Sequence, residues 1–173
     1  MTDAAADFRT LYQLYAPAVR RFVLFLGSDS ASADDIVAET FARAWTSAGP
    51  LREATVKAYL FTIARNLHRR AARQAGRHEM LPADLPDETI SAQQAAEDRS
   101  DLQAVLNAMG LLSGDDRTAL LLRATERMSY RDIARALGLS VANAKVRVHR
   151  ARLKLMRALN DADTRPSTIP IEE

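Results

Sequence analysis

Apolar side chains recur at steps of three and four along most of this chain, the spacing of one face of an α-helix. Phe8, Leu11, Tyr12, Tyr15, Val19, Phe22, Val23 and Leu26 define a first long helix, and Pro17 within it predicts a kink or a break. Gly27-Ser28-Asp29-Ser30 ends it. A second helix is expected from about Ala33, with Asp34 and Asp35 in its first turn, where acids favour the helix dipole. Its residues Ile36, Val37, Phe41, Ala44 and Trp45 make an apolar stripe; Asp35, Glu39 and Arg43 make a charged one. Gly49-Pro50 breaks the chain and Leu51 to Thr55 read as a loop. A third helix, from about Val56 to Arg73, has Tyr59, Leu60, Ile63 and Leu67 on its buried side. Its exposed side carries a ladder of Arg65, Arg69 and Arg73, with Asn66 and Arg70 alongside.

Beyond Pro82 the pattern fades. Asp84, Asp87, Glu88, Glu97 and Asp98 gather with Pro82, Pro86 and a Gln-Gln pair, and large apolar residues are scarce up to about Ser100. Such composition reads as a mobile acidic linker. Order returns in a fourth helix with Leu102, Val105, Leu106 and Met109. Ser113 followed by Asp116, and Ser129 followed by Asp132, resemble capping boxes that open two further helices. No stretch alternates as a strand would, so the chain reads as all-α: two small helical domains, residues 1–77 and 101–160, joined by a flexible acidic linker, 78–100, and followed by an unstructured tail, 161–173.

The densest signal is Ser129-Tyr130-Arg131-Asp132-Ile133-Ala134-Arg135-Ala136-Leu137-Gly138-Leu139-Ser140, followed directly by a helix rich in Lys and Arg. Two short helices with a glycine turn, and no acid from Ile133 to Leu159, describe a helix-turn-helix suited to the major groove of DNA. With Ser140 as N-cap and 100° per residue, Val141, Ala144, Val148, Ala151 and Leu155 face the preceding helices. Asn143, Val146, Arg150 and Lys154 lie opposite with Arg147 close by, and Lys145, His149 and Arg152 sit on the flanks. Arg and Asn can pair with guanine and adenine, while the distal cations suit phosphates.

Bulk properties narrow the field. The 173 residues carry a net charge of only +2 with a pI near 9.2, which points to basic patches on an otherwise balanced surface. Cysteine is absent and His68, His78 and His149 are scattered, so neither a disulfide nor a metal site is expected, and no cofactor. Neither a signal peptide nor a membrane span is apparent, which suits a cytoplasmic protein. With no glycine-rich phosphate loop and no acid–base cluster, no catalytic residue is expected.

Two blocks together resemble the bacterial sigma factors of the extracytoplasmic-function type. They are Asp34-Asp35-Ile36-Val37-Ala38-Glu39-Thr40-Phe41-Ala42-Arg43-Ala44-Trp45 with Ala58-Tyr59-Leu60-Phe61-Thr62-Ile63-Ala64-Arg65-Asn66, and Leu137-Gly138-Leu139-Ser140-Val141 with Lys145 and His149-Arg150-Ala151-Arg152. The resemblance implies a promoter-specificity subunit whose first domain grips the clamp helices of the polymerase β′ subunit and melts the −10 element. Asp35, Ile36, Glu39 and Arg43 would then face core polymerase, with Ala38 where the family usually has Gln. The loop between Trp45 and Val56 would capture a flipped −10 base. Asn66 and Arg70 would read or anchor bases beside Lys57, and Arg65, Arg69 and Arg73 would hold phosphates. The second domain would dock on the β flap and read the −35 duplex through Asn143, Lys145, Val146, Arg147, His149, Arg150 and Lys154; Val146 stands where a small polar residue is common. An anti-sigma partner is also implied. On the residues alone two rivals remain: a self-sufficient helix-turn-helix repressor or activator, and a small helical enzyme or ligand sensor.

Overall fold

The computed structural model describes residues 3–46, 53–76 and 92–163, all seven of whose regular elements are helices: α1 (Asp3–Phe25), α2 (Ser30–Thr46), α3 (Glu53–Gln74), α4 (Ala92–Gly110), α5 (Gly114–Ala124), α6 (Tyr130–Leu137) and α7 (Val141–Asp163). Residues 47–52 of the loop expected to capture a base, the part of the acidic stretch that holds Asp84, Asp87 and Glu88, and the tail beyond Asp163 lie outside the described residues. Glu53, Ala54 and Thr55, expected in that loop, instead open α3, and residues 161–163, expected in the tail, end α7.

Pro17 neither splits nor ends α1, which runs on through it. The proline sits on the exposed side, where the carbonyl it leaves without a helical donor can reach water. Gly27, at φ +108°, closes the helix: its N–H donates to the Leu24 carbonyl and that of Ser28 to the Val23 carbonyl, so two terminal acceptors are satisfied. α2 begins at Ser30, three residues earlier than the acids suggest, because Asp29 caps it by accepting from the Ser32 N–H at 2.8 Å. Asp34 and Asp35 therefore lie past the first turn, and Asp34 instead pairs with Arg20 of α1 at 2.6 Å.

Val19, Phe22 and Val23 of α1, Val37 and Phe41 of α2, and Leu60, Phe61 and Ala64 of α3 form the core of the first half. Phe22 and Phe61 meet edge to face, with ring centroids 5.0 Å apart. The second half repeats the capping logic of its sequence. Ser113 accepts from the Asp116 N–H, Ser129 from the Asp132 N–H and Ser140 from the Asn143 N–H. Gly138, at φ +65°, adopts the left-handed conformation that the turn requires, and the N–H of Leu139 closes on the Ala134 carbonyl at 2.8 Å.

The fourth helix starts at Ala92, inside the stretch expected to be linker. The two halves are also packed together. The buried apolar cluster of α1–α3 continues into Leu122 of α5, Ile133 of α6 and Val148 of α7. Arg117 of α5, 1% exposed, donates through Nε to the Met109 carbonyl (3.1 Å), through Nη2 to that of Leu112 (3.3 Å) and through Nη1 to that of Leu26 at the end of α1 (3.2 Å). A cation among carbonyls at the ends of two helices is electrostatically well placed. It ties the halves to each other.

Candidate nucleic-acid interface

The helix-turn-helix is α6 and α7. Ala144, Val148 and Ala151 are fully buried against α5 and α6, so the opposite side of α7 faces outward. Ala142, Asn143, Lys145, Val146, His149, Arg150 and Lys154 are all exposed, whereas Arg147 is half-buried. Val141, expected on the packed side, is exposed as well, because it precedes the point where α5 covers the helix. Val146 is 62% exposed and lies near the middle of the outward face, an apolar residue held clear of the core. Lys145 lies over the Tyr130 ring at 5.8 Å, and Arg123 lies over the same ring at 4.9 Å.

An acidic pair at the start of α5, missed from the sequence, organises the cations. Asp116, 1% exposed, receives Arg150 Nη2 at 2.7 Å and Lys154 Nζ at 3.4 Å; Arg147 Nη1 lies 3.7 Å away. Asp115 receives Arg65 Nη2 of α3 at 2.7 Å and Arg147 Nη1 at 3.4 Å. Burial pushes both carboxyls up, but cations reverse the sign. Hydrogen bonds and charge from Arg65, with the charges of Arg147 and Arg69, hold Asp115 below its ordinary value. Arg150, Ser113 and Lys154 do the same for Asp116, and Asp116 in turn raises Arg150.

On α3 the cationic ladder is only partly open. Asn66, Arg69, Arg70 and Arg73 are exposed as expected. Arg65 is not: it is 7% exposed, covered by the second half through Asp115, with its Nη1 3.5 Å from the Ala136 carbonyl of α6. Lys57 is half-buried and reaches Glu126, donating to its carbonyl at 2.6 Å and pairing with its carboxylate at 3.0 Å. A polar cleft of about 280 Å³ remains between the halves, lined by Arg65, His68, Arg69, Ser113, Asp115 and Arg147. His68 is buried, with Nδ1 2.9 Å from Ser28 Oγ. Among the described residues no group of side chains could hold a metal ion.

On α2, Asp35, Glu39 and Arg43 form an exposed stripe in which Glu39 and Arg43 pair at 2.6 Å. Ile36 does not join it. At 6% exposure Ile36 belongs to the core beneath. Trp45, expected in that core, is 51% exposed; it sits in the last turn of α2 and packs its ring on Phe8 of α1, with centroids 5.0 Å apart.

Asp115, Arg117 and Glu126 escape a reading of the sequence, and Asp116 shows there only as part of a cap, because each also has a partner far along the chain: Arg65, Leu26, Lys57 and Arg150 respectively. The one available signal was the adjacent acids behind the Ser113 cap, in a half otherwise rich in cations.

Comparison with known proteins agrees with this architecture. Residues 11–78 match sigma-70 region 2 and residues 102–155 match sigma-70 region 4. The chain is 34% identical to the ECF RNA polymerase sigma factor EcfG of Rhodopseudomonas palustris over 83% of its own length and 80% of that protein. With the ECF sigma factor SigL of Mycobacterium tuberculosis it shares 32% over 91% of each chain. The sigma factor RpoE of Bartonella quintana, solved with the anti-sigma factor NepR, superposes with a TM-score of 0.70 at 30% identity, over 89% of this chain and 97% of that one. CnrH, solved with the cytosolic domain of CnrY, gives 0.67 at 29% identity over 91% and 89%. The chain belongs to the extracytoplasmic-function sigma factors, the subunits that give RNA polymerase its promoter specificity.

Proposed function

We propose that this sigma subunit divides promoter recognition between α7 and α3, with α2 as its hold on core polymerase. Asn143, Val146 and Arg150 contact −35 bases, Val146 favouring a thymine methyl. Lys145, Arg147, His149 and Lys154 anchor phosphates. Asn66 and Arg70 engage the unpaired −10 strand, and Arg69 and Arg73 hold its backbone. Asp35, Glu39 and Arg43 meet the β′ clamp helices, and the second half docks on the β flap. Ile36 acts from beneath by shaping α2. The nucleotide chemistry is the polymerase's own, and the cytoplasm is where it would be met.

Lys57 and Arg65 reach −10 DNA only after the second half leaves α3. The packed arrangement is therefore a resting form, and binding to polymerase and promoter draws the halves apart. Joined on one chain, two weak modules then bind cooperatively at a fixed spacing. RpoE was solved with an anti-sigma factor and CnrH with the cytosolic domain of CnrY, and an anti-sigma factor would hold this chain in the resting form.

The observation that carries this reading is the outward face of α7, cation-rich yet centred on an exposed valine, in a chain whose first half matches region 2. The test is run-off transcription from a −35/−10 template with core polymerase, each element scrambled in turn. Transcripts that need both elements are expected. No association with core, together with tight unaided binding to inverted repeats, would mean a self-sufficient regulator instead.

A further inference from the structure

We propose that Asp116, which points into the protein and not at DNA, is a positioning residue that sets −35 specificity by fixing the guanidinium of Arg150. The inference rests on Arg150 being a base contact.

Residues 147, 150 and 154 are spaced by three and four, so their side chains form one stripe on the flank of α7 that faces α5. Asp116 stands opposite the middle of that stripe, one carboxylate serving cations across two turns. Its own backbone N–H is bound to the Ser113 cap, so the carboxylate is seated on a rigid helix start. A buried carboxylate needs this much compensation to stay ionised, and three cations with the positive end of α5 provide it.

The contact differs among the three. Arg150 is bound closest, at 2.7 Å, yet its side chain is 51% exposed. One Nη is committed to Asp116, and the rest of the planar fork faces outward with its orientation already chosen. A two-point contact to a base edge depends on that orientation, and a side chain fixed in advance loses less freedom on binding. Arg147 and Lys154 sit farther from the same carboxylate, which damps their pull on phosphates. Asp116 thus favours discrimination over indiscriminate attraction. A carboxylate that merely fastened α5 to α7 would change affinity for every sequence alike.

The experiment uses holoenzyme reconstituted from core polymerase and the full chain. Competition binding is run against promoters substituted at each −35 position and against a duplex lacking the element, at several salt concentrations. Arg150→Ala first locates the position Arg150 reads. Asp116→Asn, nearly isosteric, is expected to cut discrimination at that position roughly fivefold or more. Binding to the duplex without a −35 element should hold or rise, with a salt dependence steeper by about one phosphate contact. In the Arg150→Ala background Asp116→Asn should change discrimination no further. Equal weakening on all sequences, with discrimination intact, would overturn the proposal and leave the reading of Arg150 standing. No effect of Arg150→Ala at any position would remove that reading and the proposal with it. Should Asp116→Asn melt below the assay temperature, Asp116→Glu keeps the charge and moves the carboxylate by one methylene. It should lose discrimination at an unchanged salt slope, and full discrimination would overturn the proposal.

Discussion

On α3 the carboxylates facing Lys57 and Arg65 come from the other half of the molecule, whereas on α7 the carboxylate closest to Arg150 and Lys154 comes from a neighbouring helix of the same half. Both helices are basic and lie in the segments that match sigma-70 regions 2 and 4, yet parting the halves would act on them differently. It strips Glu126 and Asp115 from α3 and uncovers cations, while Asp116 stays on α7. Access to Lys57 and Arg65 on the −10 face proposed for α3 is thus conditional on domain arrangement. The outward face of α7 is not. These charge pairs sit beside the apolar cluster that runs from α1–α3 into α5, α6 and α7, and a partner that offered Arg65 and Lys57 a better anion would compete with the pairs.

The harshest way to break the comparison is to remove Arg117, which belongs to both sides of it. Its guanidinium serves carbonyls at the end of α4, in the α4–α5 turn and at the end of α1. Arg117→Ala takes the guanidinium from three buried acceptors, of which the Met109 carbonyl keeps the Leu112 N–H at 3.1 Å, and opens a void, at an expected cost of about 3 kcal/mol or more. Urea denaturation of the purified chain measures it. A loss below about 1 kcal/mol would mean that water replaces the guanidinium and that the halves are not joined through it.

Cutting the pairs between the halves is milder. Asp115→Ala releases Arg65, and a pair partly open to solvent is worth at most about 1 kcal/mol, or roughly fivefold. The free chain should bind a single-stranded −10 oligonucleotide several-fold more tightly and expand in small-angle X-ray scattering, with −35 base preference unchanged. Glu126→Gln should do the same to a lesser degree, because Lys57 keeps its bond to the Glu126 carbonyl. An unchanged radius and oligonucleotide affinity in both variants would show that these pairs do not gate α3.

What could be read from the sequence was local. Ser113, Ser129, Ser140 and Gly138 announce caps and a turn because their partners lie within a few residues, and helical periodicity named most of the core. Arg65 shows the limit of that reading. A helical wheel identifies the side opposite a helix's own core, but not that another half of the chain comes to lie there. Trp45 fails for a related reason: periodicity gives a stripe, and only packing decides where along α2 that stripe is covered. For Ile36 the stripe is right, and it is the surface position implied by the family resemblance that its burial does not fit. The acidic pair could be seen beside its cap but its partners could not, because Asp115 acts on Arg65, fifty positions away, and Asp116 on Arg150, thirty-four away.

The smallest effect, and the sharpest on the difference between the two carboxylates, is in their response to acid. Both are held below the ordinary value of 3.8, so each contributes stability that is complete above that value and drains as pH falls through the lowered one. From pH 7 to about 5 the gap in stability between the wild type and Asp116→Asn should stay constant; below about 4 it should close, since protonation does to Asp116 what the substitution already did. Asp115→Asn should follow the same course with a smaller gap, because Asp115 is 43% exposed and Asp116 only 1%. Denaturation midpoints across the range decide it. A gap for Asp116→Asn that instead shrinks between pH 7 and 5 would mean a carboxyl raised by burial, in which case Arg150 and Lys154 do not hold it ionised and the contrast between α3 and α7 loses its electrostatic basis.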